Sequence, residues 1–282
     1  MPSPSLDALR QADIWRLAWV PAPPSGRAGE HLGRGTGSSL EFQDRRTYQA
    51  GDDVRHLDWR AFARTGQLTI KLYREELLPR LDLLLDVSGS MDVGEDKPQL
   101  AIDLAAFFSG CARREGFAVR LILLGDRPER LDLDAFMAQG CEFAGRLPLS
   151  FTSDAAAGLL RPGTLRFLVS DFLSPHDPAR LVRSLAARAG GLALFQVLSR
   201  EDTEPEVGAA FRMIDVETGE ERELVLDSGT VEDYLGRLER LTDALEIECR
   251  RASARFMRLV GGPTFSEFCR DQLAREGMVL PD

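Results

Sequence analysis

The sequence predicts a doubly wound α/β fold: a mostly parallel sheet covered by helices on both faces, with an N-terminal extension and a β-hairpin insertion. Two observations carry this. Short, largely apolar strand segments recur at LDLLLDVS (81–88), FAVRLILL (117–124), LRFLVSDF (165–172), GLALFQVL (191–198) and ARFMRLV (254–260). Such runs mark strands buried on both faces. Segments with helical spacing of apolar residues separate them, and that alternation is the signature of parallel β-strands joined through helices.

The elements follow in order. Residues 1–40 hold a short helix and then PAPPSGRAGEHLGRGTGSS (21–39), whose Pro, Gly and Ser content reads as a loop or linker. Residues 41–78 form a segment of their own, and 79–282 the α/β domain. Between Gln99 and Glu115, Leu100, Leu104, Phe107, Phe108 and Cys111 share one helical face. Helices are also expected over Asp134 to Leu147, Asp154 to Leu160, Pro178 to Ala189, Val231 to Arg251 and Phe265 to Glu276. FRMIDVETGEERELVLD (211–227) reads as a hairpin turning at Thr218-Gly219.

Composition narrows the function. The net charge of -10 argues against non-specific nucleic-acid binding, which needs a basic surface. Lysine occurs only at Lys71 and Lys97. Cys111, Cys141, Cys249 and Cys269 lack the spacing of a metal knuckle or redox pair, so they are expected as buried thiols in a reducing compartment. His31, His56 and His176 are too far apart to suggest a zinc cluster. No secretory signal is read at the N-terminus, and no apolar run approaches the roughly 18–20 residues that span a bilayer. A cytoplasmic protein with no membrane contact is expected.

The first strand runs into Asp86-Val87-Ser88-Gly89-Ser90-Met91, a DxSxS sequence. Alternate residues of an extended turn face the same way, so Asp86, Ser88 and Ser90 can converge. Ser170-Asp171 ends another strand and brings a second carboxylate to the same edge of the sheet. Thr152-Ser153-Asp154 lies between them, opens the expected 154–160 helix and supplies more hydroxyls. Ligands of open α/β sheets bind beyond the carboxyl ends of the strands. Carboxylates and hydroxyls together suit a hard cation such as Mg²⁺, or Mn²⁺. A Ser/Gly loop after a strand is often only a turn, and Asp or Ser before a helix often only a cap. It is the three loops in this order that point to a metal.

DVSGSM (86–91), TSDAAAGLL (152–160) and LVSDFL (168–173) resemble the metal-ion-dependent adhesion site, or MIDAS, of von Willebrand factor A domains, whose sheet is Rossmann-like. The resemblance implies direct metal contacts from Ser88 and Ser90. Asp86 and Asp171 would act directly or through water. The remaining ligand would come from Thr152 or Ser153: family members have Thr followed by Asp, and aligning Asp154 puts Ser153 in the Thr place. Near-octahedral Mg²⁺ would then keep one position for a partner's Glu or Asp.

The segment EFQDRRTYQAGDDVRHLDWRAFARTGQLTIKLYREE (41–76) is similar to the signature of the DUF58 family of bacterial proteins. The matching residues are Glu41-Phe42, Arg46, Tyr48, Gly51-Asp52-Asp53, Arg55, Asp58-Trp59, Ala63-Arg64 and Glu75-Glu76. The resemblance spans about residues 30–280 and implies a protein-protein interaction role beside a MoxR-type AAA+ ATPase, as adaptor or substrate-recognition cofactor, without catalysis. Many family members carry an N-terminal membrane segment, and none is read here. Within 41–76, Arg45, Arg46, Arg55, Arg60 and Arg64 interleave with Asp44, Asp52, Asp53 and Asp58. This suits either an ion-paired plug anchored by a buried Trp59, the expected arrangement, or a docking face.

Enzyme readings fit less well. A metal-dependent phosphotransfer enzyme could use Asp86 as nucleophile, but Ser88 stands where an acid or base is wanted, and neither lysine follows a strand. A P-loop and a GxSxG elbow are both absent.

Overall fold

The computed structural model describes residues 2–18, 40–49, 51–75, 79–94, 96–208, 210–214, 221–225 and 227–282. The loop expected at 21–39 and the Thr218-Gly219 turn lie outside the described residues. The chain divides into two compact units: residues 26–78, and Met1–Ser25 together with Pro79–Asp282.

In chain order the elements are α1 (Leu6–Ile14), β1 (Trp15–Leu17), β2 (Leu40–Thr47), α2 (Trp59–Thr65), β3 (Thr69–Glu75), β4 (Arg80–Asp86), α3 (Lys97–Arg114) and β5 (Ala118–Leu124). Then come β6 (Glu129–Leu131), α4 (Leu133–Gln139), α5 (Leu149–Ala156), β7 (Leu165–Ser170), α6 (Pro178–Ala186), β8 (Gly191–Leu198) and α7 (Arg200–Thr203). The last are β9 (Ala210–Ile214), β10 (Glu221–Val225), α8 (Ser228–Arg251), β11 (Arg255–Val260), α9 (Phe265–Phe268) and β12 (Val279–Pro281).

The larger unit is built on a six-stranded sheet in the order β11-β8-β7-β4-β5-β6, parallel except at β6. Its central strands β4, β7 and β8 are buried on both faces, whereas the edge strands β6 and β11 are partly exposed. Along β4, Leu81, Leu83 and Leu85 pack into the layer that holds α3, while Leu84 packs into the layer of α5, α6 and α8. Phe108, Phe167 and Phe195 meet in the first layer with ring centroids 4.8–5.5 Å apart. All four cysteines are buried free thiols. β9 and β10 pair antiparallel as the expected hairpin.

Four details differ from the sequence expectation. The helix expected over Asp134 to Leu147 stops at Gln139, because Gly140 turns the chain with φ +70°. The helix expected at Asp154 opens at Leu149 and ends at Ala156, followed by a 3-10 turn. The α-helix at 265 lasts only to Phe268, and Cys269–Leu273 continue as a π-helical turn. Finally, α1 packs on α3 so closely that a Cβ on Gly110 would lie 2.7 Å from that of Ala12, and β1 pairs with β12. Strands of three residues show no period in a sequence, so β1, β6 and β12 leave no sign there.

The smaller unit is an antiparallel pair, β2 with β3, framing α2. It has regular elements where no strand or helix period was expected. Asp58 caps α2 by accepting from the Arg60 and Ala61 amides, and pairs with Arg45 at 2.7 Å. Arg46 pairs with Asp52 at 2.6 Å, and Arg55 with Asp53 at 2.6 Å. Trp59 is not the buried anchor expected of it: it is 61% exposed. As first residue of α2 it lies off the buried face that carries Ala61, and its ring rests edge-on against Phe62 at 6.4 Å.

Among the described residues, no helix is long and apolar enough to cross a membrane.

Candidate functional site

Sheet order places the site. From β4 the chain crosses through α3 to β5 on one side, and from β7 it crosses through α6 to β8 on the other. The two helices cover opposite faces. The strand order therefore reverses between β4 and β7, and ligands of open α/β sheets bind beyond the strand ends at such a point. Asp86 ends β4 and Asp171 follows β7, so the two carboxylates stand on either side of that reversal.

Asp86 is 2% exposed. One carboxylate oxygen accepts from the Ser88 amide at 3.0 Å, the other from the Ser170 hydroxyl at 2.6 Å. Burial pushes its carboxyl up, the Ser170 hydrogen bond holds it back, and the charge of Asp171 adds to the rise, to about 6. The Ser88 and Ser90 hydroxyls lie 3.1 Å apart. Asp86, Ser88 and Ser90 thus gather in one turn. Backbone bonds brace it: Gly145 donates to the Val87 carbonyl at 2.9 Å and accepts from the Gly89 amide at 2.8 Å. A Cβ at Gly145 would come within 3.2 Å of that carbonyl, so glycine lets the two loops close.

Asp171 is 1% exposed. One carboxylate oxygen accepts from the Leu173 amide at 2.9 Å. Its own carbonyl accepts from the Gln196 amide group at 3.2 Å, and Gln196 in turn accepts from Thr242 at 3.0 Å. The next residue, Phe172, is buried with φ +60°. A bulky side chain in the left-handed region stores on the order of 1–3 kcal/mol, and such strain gathers at functional sites.

The second oxygen of Asp171 meets a residue that sequence reasoning set aside. Lys97, the first residue of α3, is 1% exposed, and its Nζ lies 3.2 Å from Asp171 and 3.1 Å from Asp202. Asp202 also accepts from the Ser199 amide at 2.8 Å, closing the capping box of α7. Tyr234 is close enough that burial, then Asp202 and Asp171, push its phenol up to about 12. One sequence signal pointed to Lys97. A cation in the first turn opposes the helix dipole, so it calls for carboxylate partners.

Thr152 and Ser153 are buried but lie inside α5 instead of opening it. Their hydroxyls donate to the carbonyls of Leu149 and Ser150, both at 3.2 Å. Each keeps oxygen lone pairs that can still accept or ligate. Asp154 turns to the surface and pairs with Arg180 at 2.7 Å.

Among the described residues, no three His, Cys, Asp or Glu side chains converge closely enough to hold a metal unaided. A metal here would depend on the serine hydroxyls. That oxygen-only donor set fits a hard cation. So does the raised carboxyl of Asp86, whose buried charge meets only neutral donors in Ser88 and Ser170.

Fold and site define a mixed α/β protein with an acidic, hydroxyl-lined cluster at the switch point of a mostly parallel sheet. The chain belongs to the DUF58 family, "Protein of unknown function DUF58", whose family model matches residues 44–236. It is 32% identical over 226 residues to uncharacterized protein Rv1480 of Mycobacterium tuberculosis, covering 73% of this chain and 70% of that one. The match to uncharacterized protein Mb1516 of Mycobacterium bovis has the same values. Among solved structures, BatB from Bacteroides thetaiotaomicron aligns with a TM-score of 0.42 and 13% identity, over 70% of this chain and 96% of that one. An aerotolerance-related membrane protein from Bacteroides fragilis aligns at 0.39 and 13%, over 71% and 98%.

Proposed function

We propose that the chain is a metal-dependent protein-interaction module whose sheet unit is a von Willebrand factor A-like domain, and that it serves a MoxR-type AAA+ ATPase as adaptor or substrate-recognition cofactor. The observation that carries the reading is the pair of Ser88 and Ser90 hydroxyls, 3.1 Å apart, in the turn that buried Asp86 opens at the switch point. Asp86, Ser88, Ser90 and Asp171, with Thr152 or Ser153, would hold Mg²⁺ or Mn²⁺. When bound, the ion supplies a coordination position for a partner's carboxylate oxygen.

The chain's own residues do the rest. Neutral hydroxyls add no charge, which preserves attraction for an acid. With the ion removed, Asp86 and Asp171 would repel that acid. Val93 and Phe151, in chain segments next to the site residues Ser90 and Thr152, are 56% and 60% exposed and offer apolar contacts beside it. In the smaller unit, exposed Trp59 supports the docking-face reading of residues 41–76 over the plug.

The alternative, a metal-dependent phosphotransfer enzyme using Asp86, gains a lysine near the site. Its ammonium is engaged by two aspartates, and both Asp86 oxygens accept hydrogen bonds, so binding remains the better reading.

Two measurements test the proposal. Mg²⁺ at 100 times its dissociation constant adds about 2.7 kcal/mol, which raises the melting temperature by several degrees, and Asp86→Ala abolishes the rise. Calorimetry with a MoxR-type ATPase should show binding lost with chelator, with Asp171→Ala and with Ser88→Ala/Ser90→Ala. Wild type and Asp86→Ala melting alike with Mg²⁺ and with chelator would remove the metal site. Affinity indifferent to chelator and to the variants would place the partner elsewhere.

A further inference from the structure

We propose that Lys97 is a tethered cation that shares Asp171 with the divalent ion and so sets how tightly the site holds that ion. The inference rests on the metal reading of Asp86, Ser88 and Ser90 and adds a residue which that reading does not contain.

Lys97 is almost wholly buried, and its ammonium lies between two carboxylates at nearly equal distances, 3.2 Å to Asp171 and 3.1 Å to Asp202. A buried ammonium is tolerated only when paired, and here each partner is itself fixed. Asp202 is held by the Ser199 amide, and Asp171 by the Leu173 amide. Lys97 therefore takes the one Asp171 oxygen not committed to backbone.

A divalent ion drawn to Asp171 competes for the same charge and is repelled by the ammonium, a unit charge a few ångströms away in a water-poor site. Lysine suits such sharing. Its charge is compact and its stem flexible, so it can lean toward Asp202 and stay paired when the ion draws on Asp171. Two consequences follow: the ion is held less tightly than unshared carboxylates would hold it, and it keeps more attraction for an incoming acid.

The test is Mg²⁺ titration by calorimetry on the full chain, with wild type, Lys97→Met, Asp202→Asn and the charge-balanced double Lys97→Met/Asp202→Asn. Methionine keeps the stem and removes the charge, so Lys97→Met should tighten Mg²⁺ binding about tenfold or more. Asp202→Asn leaves Asp171 as the only carboxylate of the pair, and should weaken binding. If Lys97→Met does not fold, the double variant carries the comparison: it should bind Mg²⁺ more tightly than Asp202→Asn alone. Wild-type binding that Lys97→Met leaves unchanged or abolishes, with its fold intact, overturns this proposal alone. No binding by any of the four overturns it together with the metal reading.

Discussion

The Ser170 hydroxyl donates to Asp86 at 2.6 Å, tying the last residue of β7 to the last residue of β4 across the switch point. The same hydroxyl accepts from the Phe172 amide at 3.0 Å, so it also steadies the strained turn after Asp171. A hydrogen bond to a charged group contributes about 1.5–3 kcal/mol. Ser170→Ala should lower stability by about that amount in urea denaturation. A variant that unfolds at the wild-type midpoint would show that the bond contributes nothing.

The contribution of Asp86 to the stability of the chelator-treated protein should fall as pH rises from about 4 to about 6. Burial raises the carboxyl of Asp86 to about 6, well above its unfolded value near 4. Between those values the folded state holds the proton more tightly than the unfolded state, so the contribution is full below the window and is lost as pH climbs through it. Saturating Mg²⁺ should reverse this trend, because the metal needs the ionised carboxylate. Melting temperatures across pH 4–8, with and without Mg²⁺ and with Asp86→Asn as control, decide the matter. Identical profiles for Asp86→Asn and wild type would count against it.

At the opposite end of β4, Asp82 is fully buried and takes two bonds from Arg120, at 2.7 and 2.5 Å, with a third from Thr164 at 3.1 Å. Breaking a buried pair by removing one partner costs about 3–5 kcal/mol, because the other charge is left behind. Asp82→Ala should show that loss in denaturant, and Asp82→Leu/Arg120→Met should recover much of it. Equal losses in both would mean that packing, not the stranded charge, sets the cost.

Trp59→Ala should leave the fold nearly as stable as wild type, within about 0.5 kcal/mol, since exposed positions seldom contribute more. If residues 41–76 dock a partner, the same change should weaken binding by about 2 kcal/mol or more, as exposed tryptophans do when they become buried at an interface. Pairing one denaturation curve with one binding isotherm checks both. A large stability loss would restore the plug reading.

The central parallel strands are legible in the sequence because burial on both faces writes a largely apolar run, as at Leu83 to Leu85. The DxSxS turn was legible because its spacing is local. What was hidden depends on distant partners. Lys97 and Asp171 are 74 residues apart, and only the fold brings them together. The helix holding Thr152 and Ser153 starts earlier than the sequence suggests, because Leu149 and Phe151 carry no sign of a first turn. The exposure of Trp59 is not legible in the sequence, because the Arg/Asp density of its segment hides a short capped helix, with Asp58 as the cap.

The pairing of β1 with β12 has a consequence for the order of folding. Trp15 lies beside Pro281, and the Ser266 amide donates to Asp7 across 259 residues of chain. During synthesis α1 emerges long before β12, so Ala8 and Ala12 must wait on α3 and on the elements around β12. Contacts this far apart in sequence are slow to form, because the intervening chain must be closed first. β2, α2 and β3 are neighbours in sequence, so the smaller unit closes over much shorter stretches of chain.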